Sequence, residues 1–237
     1  MKVKIVAIAV VLLVAGVWAP MALALDPLGP PAAGLRQGGM SVGLDYISNQ
    51  MNLSARDTDG DRYKSKSAQV DKTFVNVGYG VADNWEAYVR LGASKFEDSE
   101  EIEIMGTHRP AWGLGTKATI YQDGNWKFGG LLQISWNDSK EVWDHGFDEV
   151  KWYEYQIAAG PTYKVSDKVS IYGGPYYNYL KGDLRSQHGK WGTIKGEDHV
   201  GGYIGGQFAV NDNLALNAEY QLSASDSGMG LSLAWKF

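Results

Sequence analysis

From residue 40 onward, apolar and polar side chains alternate with a period of two, the pattern of strands that have one apolar face. The closing stretch is the plainest case. Met229, Leu231, Leu233, Trp235 and Phe237 fall on one face, and Gly230, Ser232, Ala234 and Lys236 on the other. The same alternation sets Met40, Val42, Leu44 and Tyr46 against Ser41, Gly43 and Asp45. It sets Val75, Val77, Tyr79 and Val81 against Asn76, Gly78 and Gly80, and Trp85, Ala87, Val89 and Leu91 against Glu86, Tyr88, Arg90 and Gly92. Six further strands follow: AWGLGTKATIY, WKFGGLLQISW, YEYQIAAGPTY, VSIYGGPYYNY, VGGYIGGQFAV and LALNAEYQLS. Tight turns at 82–84, 122–125, 166–168 and 211–213 recur about 40 to 45 residues apart. Between them lie longer polar stretches (54–66, 96–110, 137–149 and 181–198) that read as loops. A WD40 propeller has a similar period, but its blades need four short strands per repeat, whereas each repeat here holds two of about 9 to 11 residues. The pattern predicts about ten antiparallel strands, with eight as the alternative.

The N-terminus changes the environment in which these strands must be read. Lys2 and Lys4 precede an apolar run from Ile5 to Trp18 and the small-residue pattern Ala22-Leu23-Ala24. This predicts a signal-peptide helix over 1–24, cleaved after Ala24. An uncleaved anchor helix is the alternative. Residues 25–39 are rich in Pro and Gly and read as a flexible periplasmic lead-in with no assigned role, and 40–237 as the barrel. With no cysteine in the chain, neither a lipid anchor on Cys nor a disulfide is available. Thirty Gly, 14 Tyr and 9 Trp accompany a mean hydropathy of −0.28, and after the signal no apolar run approaches the roughly 20 residues a spanning helix needs. A net charge of −5 argues against nucleic acid as a partner, since such binding needs a basic surface. The expected fold is therefore all-β, a transmembrane antiparallel up-and-down β-barrel, with the tight turns and both termini on the periplasmic side.

Two aromatic girdles follow from this layout. Trp85, Trp126, Tyr163 and Trp235 lie near the tight turns or the C-terminus, and Trp112, Trp136 and Tyr179 at the opposite strand ends. Pro175 sits in a strand pattern beside Gly173 and Gly174 and predicts a bulge. The inward set carries charge of both signs: Asp45, Glu86, Glu154 and Glu219 with Arg90, Lys117, Lys127 and Lys236. In a barrel of this size the lumen is largely filled by side chains, so these are expected to form a network that stiffens or plugs it. A narrow ion path in which Glu86, Arg90 and Lys127 set selectivity is the sharper alternative.

Other chemistry is sparse. His108, His145, His188 and His199 fall in or beside the polar stretches without zinc-site spacing, and no G-x-S-x-G nucleophile motif is present. The string DTDGD at 57–61 lacks the Gly and Glu that an EF-hand needs at its sixth and twelfth positions, where Arg62 and Ala68 stand. No catalytic group, metal or cofactor is expected. The acidic stretch with Glu97, Asp98, Glu100, Glu101 and Glu103 could pair with the basic one carrying Lys181, Arg185, Lys190 and Lys195; alternatively, the basic one could hold lipopolysaccharide phosphates.

The signal peptide, alternating strands, tight turns and terminal Phe237 together resemble small bacterial outer-membrane β-barrel proteins of the OmpA/OmpW type. The resemblance implies an outer-membrane location, contact with lipids and lipopolysaccharide, and a C-terminal aromatic read by the barrel assembly machinery. It carries over no active site. Ten-stranded omptin proteases carry acidic pairs and an Asp-x-His pair near the outer rim, whereas Asp144-His145 and Asp198-His199 here are adjacent. The expected function is structural or surface-recognition, with a small porin-like channel and a barrel-embedded hydrolase as alternatives.

Overall fold

In a computed structural model of the chain, the described residues are 26, 29–98, 102–144, 146–197, 199–224 and 226–237. The expected signal peptide over 1–24 lies outside them. Twelve strand segments form among the described residues: β1 (Met40–Asp57), β2 (Arg62–Ala82), β3 (Trp85–Asp98), β4 (Ile104–Met105), β5 (Thr107–Asp123), β6 (Trp126–Trp143), β7 (Gly146–Lys164), β8 (Val169–Ser186), β9 (Gly189–Gly196), β10 (Val200–Ala209), β11 (Leu214–Ser223) and β12 (Ser227–Lys236). The short β4 and then β5 lie successively against β3, and β9 and then β10 against β8, so each pair is one interrupted staff of the wall. Counted this way the ring has ten staves, all antiparallel, closed where β1 meets β12. The sequence expectation of about ten holds, and the extra segments come from the two interruptions.

The ring does not keep ten staves along its length. β1 pairs β12 from Ser41 to Gln50, then leaves it and pairs β9 from Leu53 to Asp57. Above this fork β11 and β12 have ended, and eight staves close on themselves. Asp226, in the β11–β12 turn, accepts the Asn52 amide at 2.8 Å where β1 changes partner. Strand lengths require such an extension. The 21 residues of β2 reach roughly 70 Å when extended, far beyond an apolar band about 25 Å tall even after tilting. β10, β11 and β12, at 10 residues each, are of membrane-spanning length.

Within one strand the hydrophobic parity reverses. On β1 the apolar residues Met40, Val42, Leu44 and Tyr46 are exposed on the outer wall, whereas Ile47, Met51, Leu53 and Ala55 are buried inside. On β8 Ile171 and Tyr177 face out, and Leu180 and Leu184 face in. The lower half thus offers its apolar face to lipid. The upper half turns it inward around a core of Met51, Leu53, Val70, Phe96, Trp152, Leu180, Leu184 and Ile194, as a water-soluble barrel does. This corrects the reading of 54–66, 96–110, 137–149 and 181–198 as loops, since most of their described residues are strand. Lys, Arg, Asp and Glu on the outer face hid an alternation whose apolar members had moved to the other side.

Pro175 also differs from expectation. The register between β7 and β8 is the same on both sides of it, so there is no bulge, but the ladder opens between the Ala158–Tyr176 and Thr162–Tyr172 pairs. Proline lacks a donor, and Pro161 on the facing strand lacks one too, so this part of the ladder cannot form. Pro175 still lies in register opposite Gly202 of β10.

Candidate functional site

The lumen is occupied by the chain itself. Asp26 and residues 29–35, expected within a flexible periplasmic lead-in, lie inside the barrel, which corrects that expectation for them. Ala32, Ala33 and Leu35 are buried there, and Asp26 reaches the centre. The reason is hydrogen bonding. A Pro/Gly-rich segment makes no ladder of its own, and inward side chains satisfy its backbone instead. Glu86 Oε2 accepts from the amides of Gly34 (2.8 Å) and Leu35 (3.0 Å), Glu219 Oε2 from Gly29 (2.8 Å), and Asp83 Oδ1 from Gln37 (3.0 Å). Lys236 Nζ donates to the Gly34 carbonyl at 3.0 Å. Gly38 and Gly39 exchange 2.8 Å backbone bonds with Gly80. Two wall glycines make room: a Cβ on Gly129 would lie 2.5 Å from Ala32 Cα, and one on Gly80 would collide with the Arg36 carbonyl.

At the top of this segment the Asp26 carboxylate bridges two buried cations, Lys72 Nζ at 2.8 Å and Arg90 Nη1 at 2.7 Å. Lys72 also meets Glu154 Oε1 at 2.6 Å, and Arg90 Nη2 meets Asp45 Oδ2 at 3.4 Å. Side chains around the centre supply further partners. Trp152 Nε1 donates to Glu154 (2.6 Å), Asn76 to Asp45 (2.6 Å), and the Arg90 guanidinium lies 4.2 Å over the Phe74 ring. Lys72 and Arg90 are 0% and 1% exposed as side chains, so the centre is sealed from bulk water. Gln133 and Gln221 donate to the Asp26 carbonyl at 3.5 and 3.0 Å, which fixes the backbone as well as the carboxylate.

Of the eight inward charges read from sequence, all lie on the lumen side, and they divide into tiers. Asp45, Arg90 and Glu154 join the central cluster. Glu86, Glu219 and Lys236 bind the N-terminal segment. Lys117 faces the 130 Å³ cavity that Asp45, Glu86, Tyr88 and Arg90 also line. Lys127 is half-buried on the lumen side below them. Sequence reasoning missed Asp26 and Lys72. Lys72 carried a usable signal, because it shares the parity of Asn76 and Gly78 and continues their face one turn of the pleat beyond Phe74. Asp26 carried none, since its contacts span 46 and 64 residues of sequence.

The aromatic residues expected as girdles lie on the outer wall. Trp126 and Tyr163 lie 4.5 Å apart near the tight turns with Trp85 and Trp235 exposed beside that rim. At the opposite border Trp112 stacks on Trp136 at 4.1 Å and Tyr179 on Tyr155 at 5.1 Å. Phe237 is 73% exposed, and its amide donates to the Met40 carbonyl at 2.9 Å.

His145 and Asp198 lie outside the described residues. His199 stacks on Tyr179 and lies tilted against Tyr177 on the outer wall, and Asp144, His108 and His188 are exposed. Among the described residues no group of three or more His, Asp or Glu is placed to hold a metal ion. In DTDGD, Asp57 Oδ1 accepts the amides of Gly60 and Asp61 at 2.8 Å each, so this carboxylate builds a turn.

A closed antiparallel wall with an apolar outer belt, aromatic borders and a polar filled interior defines the class of transmembrane β-barrels of the bacterial outer membrane. Residues 9–237 match the family described as outer membrane protein beta-barrel domain, and the chain belongs to it. No curated protein matches the chain. Among solved structures it is similar to the translocator domain of the autotransporter NalP from Neisseria meningitidis (12% identity, 86% of this chain and 89% of that one, TM-score 0.48). It is also similar to the outer membrane protease OmpT from Escherichia coli (8% identity, 84% and 97%, TM-score 0.46) and to Ail, the attachment invasion locus protein of Yersinia pestis (14% identity, 85% and 99%, TM-score 0.35).

Proposed function

We propose that this protein is a closed, non-enzymatic outer-membrane barrel, sealed by its own N-terminal segment, whose raised outer half serves envelope structure or surface recognition. The observation that carries the reading is the order of layers along the lumen. Reading inward positions of β1 outward from the periplasmic rim gives Ser41 and Gly43, then Asp45, then Ile47 and Asn49, and finally Met51, Leu53 and Ala55: small and polar, charged, mixed, and at the outer end apolar. An ion entering from the periplasm meets the N-terminal segment, then the Asp26–Lys72–Glu154 cluster, then an apolar core with Phe96 packed edge-on against Trp152 at 6.1 Å. Each layer alone opposes conduction, the last because bare charge in an apolar core is prohibitively costly. The inward charges therefore act as mutual partners and as acceptors for the N-terminal segment, and the porin-like reading loses its selectivity filter. In the same account Phe237, exposed just beyond β12, is the aromatic presented to the barrel assembly machinery. Liposome swelling with refolded protein tests the reading. Vesicles should admit small sugars no faster than protein-free controls, and swelling that rises with the amount of folded protein would refute it.

A further inference from the structure

On the outer wall, Lys181 of β8 and Lys195 of β9 are directly opposed in the ladder. Two ammonium groups in that register repel each other. Neighbouring lysines on this wall avoid the problem by pairing: Lys190 with Asp183 at 2.6 Å, Lys151 with Glu149 at 3.1 Å, and Lys64 with Glu197 at 2.8 Å. Lys181 and Lys195 make no ion pair among the described residues. Their height on the wall supplies the second observation. Lys181 follows Tyr179 of the aromatic border by two residues on the same outward face of β8, and Lys195 stands opposite it, so both lie where the apolar belt ends. Tyr155, Tyr179 and His199 form a flat shelf just below, with centroid spacings of 5.1 and 5.6 Å. Headgroup phosphates of the outer leaflet lie at the level of such borders.

We propose that Lys181 and Lys195 clamp a phosphate of an outer-leaflet glycolipid, with its sugar or acyl junction resting on the Tyr155–Tyr179–His199 shelf. A phosphate monoester carries about two negative charges near neutral pH, which suits two ammonium donors and removes their repulsion. A lipid phosphate fits better than a free anion because the clamp stands at the edge of the apolar belt and faces outward.

The test refolds the full mature chain into phosphatidylcholine bilayers alone, with added diphosphorylated lipid A, or with the same lipid A after its phosphates are removed, and measures the thermal unfolding midpoint by the gel shift of the folded barrel. Wild type should unfold about 3 °C or more higher with the phosphorylated lipid than with the dephosphorylated one. The Lys181→Gln, Lys195→Gln double variant should lose that rise while unfolding no lower than wild type in phosphatidylcholine, which shows that it is folded. Lys151→Gln should keep the rise. An equal rise in the double variant, no rise in wild type, or the same rise with inorganic phosphate in phosphatidylcholine would overturn the lipid-phosphate clamp.

Discussion

Lys72 and Asp26 hold the interior together. Lys72 has two carboxylates within 2.8 Å and no exposure, so replacing it by an apolar side chain leaves Asp26 and Glu154 facing each other with Arg90 as the remaining cation. Lys72→Met should cost about 3 kcal/mol or more in urea unfolding followed by tryptophan fluorescence, and adding Glu154→Gln should recover a large part of that loss. Additive costs in this double-mutant cycle would mean that the pair is not coupled. Asp26→Asn removes the charge that draws the N-terminal segment inward but leaves the wall intact. Amide exchange at Gly29, Gly34 and Leu35 should then quicken about tenfold or more, as about 1.4 kcal/mol of local protection implies, while exchange in the wall strands stays unchanged. Unaltered exchange at those three amides would show that the segment is held without Asp26. At this scale the sequence was half legible. Parity alone placed Asp45, Glu86, Arg90, Lys117, Lys127, Glu154, Glu219 and Lys236 inside, because a strand leaves only two choices of face. Which carboxylate meets which cation depends on barrel stagger and on a segment without periodicity.

Along the strands that continue above the fork, the reversal of hydrophobic parity marks the border between lipid and water. Below it apolar side chains face out, and above it they face in, so one strand belongs to two solvents. Ile194 of β9 is fully buried in the upper core, where β9 bridges β8 and β1. Ile194→Asp should open the eight-stave extension and leave the ten-stave ring intact. Protease added outside whole cells should then cut within 181–198, while the heat-modifiable gel shift of the folded barrel persists. Loss of the gel shift would show that ring and extension fold as one unit. The turns at 83–84, 124–125, 165–168 and 210–213 and the lipid-facing strands were readable because turn chemistry and an uninterrupted alternation agree there. The extension was not readable as strand. Its outer face carries charges at positions that had been apolar a few residues earlier, which breaks a pattern sought with constant phase.

For the whole molecule, strand number, length and filling act together. Ten staves cross the lipid-facing belt and eight continue above it, where an apolar cluster, with buried polar side chains such as Asn49, Ser94 and Ser139 beside it, fills the narrower part. The lumen therefore has two independent seals, the N-terminal segment with its charge cluster and the apolar core above. Single-channel recording in planar bilayers tests this most directly, using the refolded mature chain and a variant lacking residues 26–36. Both should be silent under an applied potential, because the apolar core still closes the barrel after the N-terminal segment is gone. Discrete, reproducible conductance from the folded wild type would contradict the closed-barrel account, and conductance confined to the deletion variant would reduce the two seals to one.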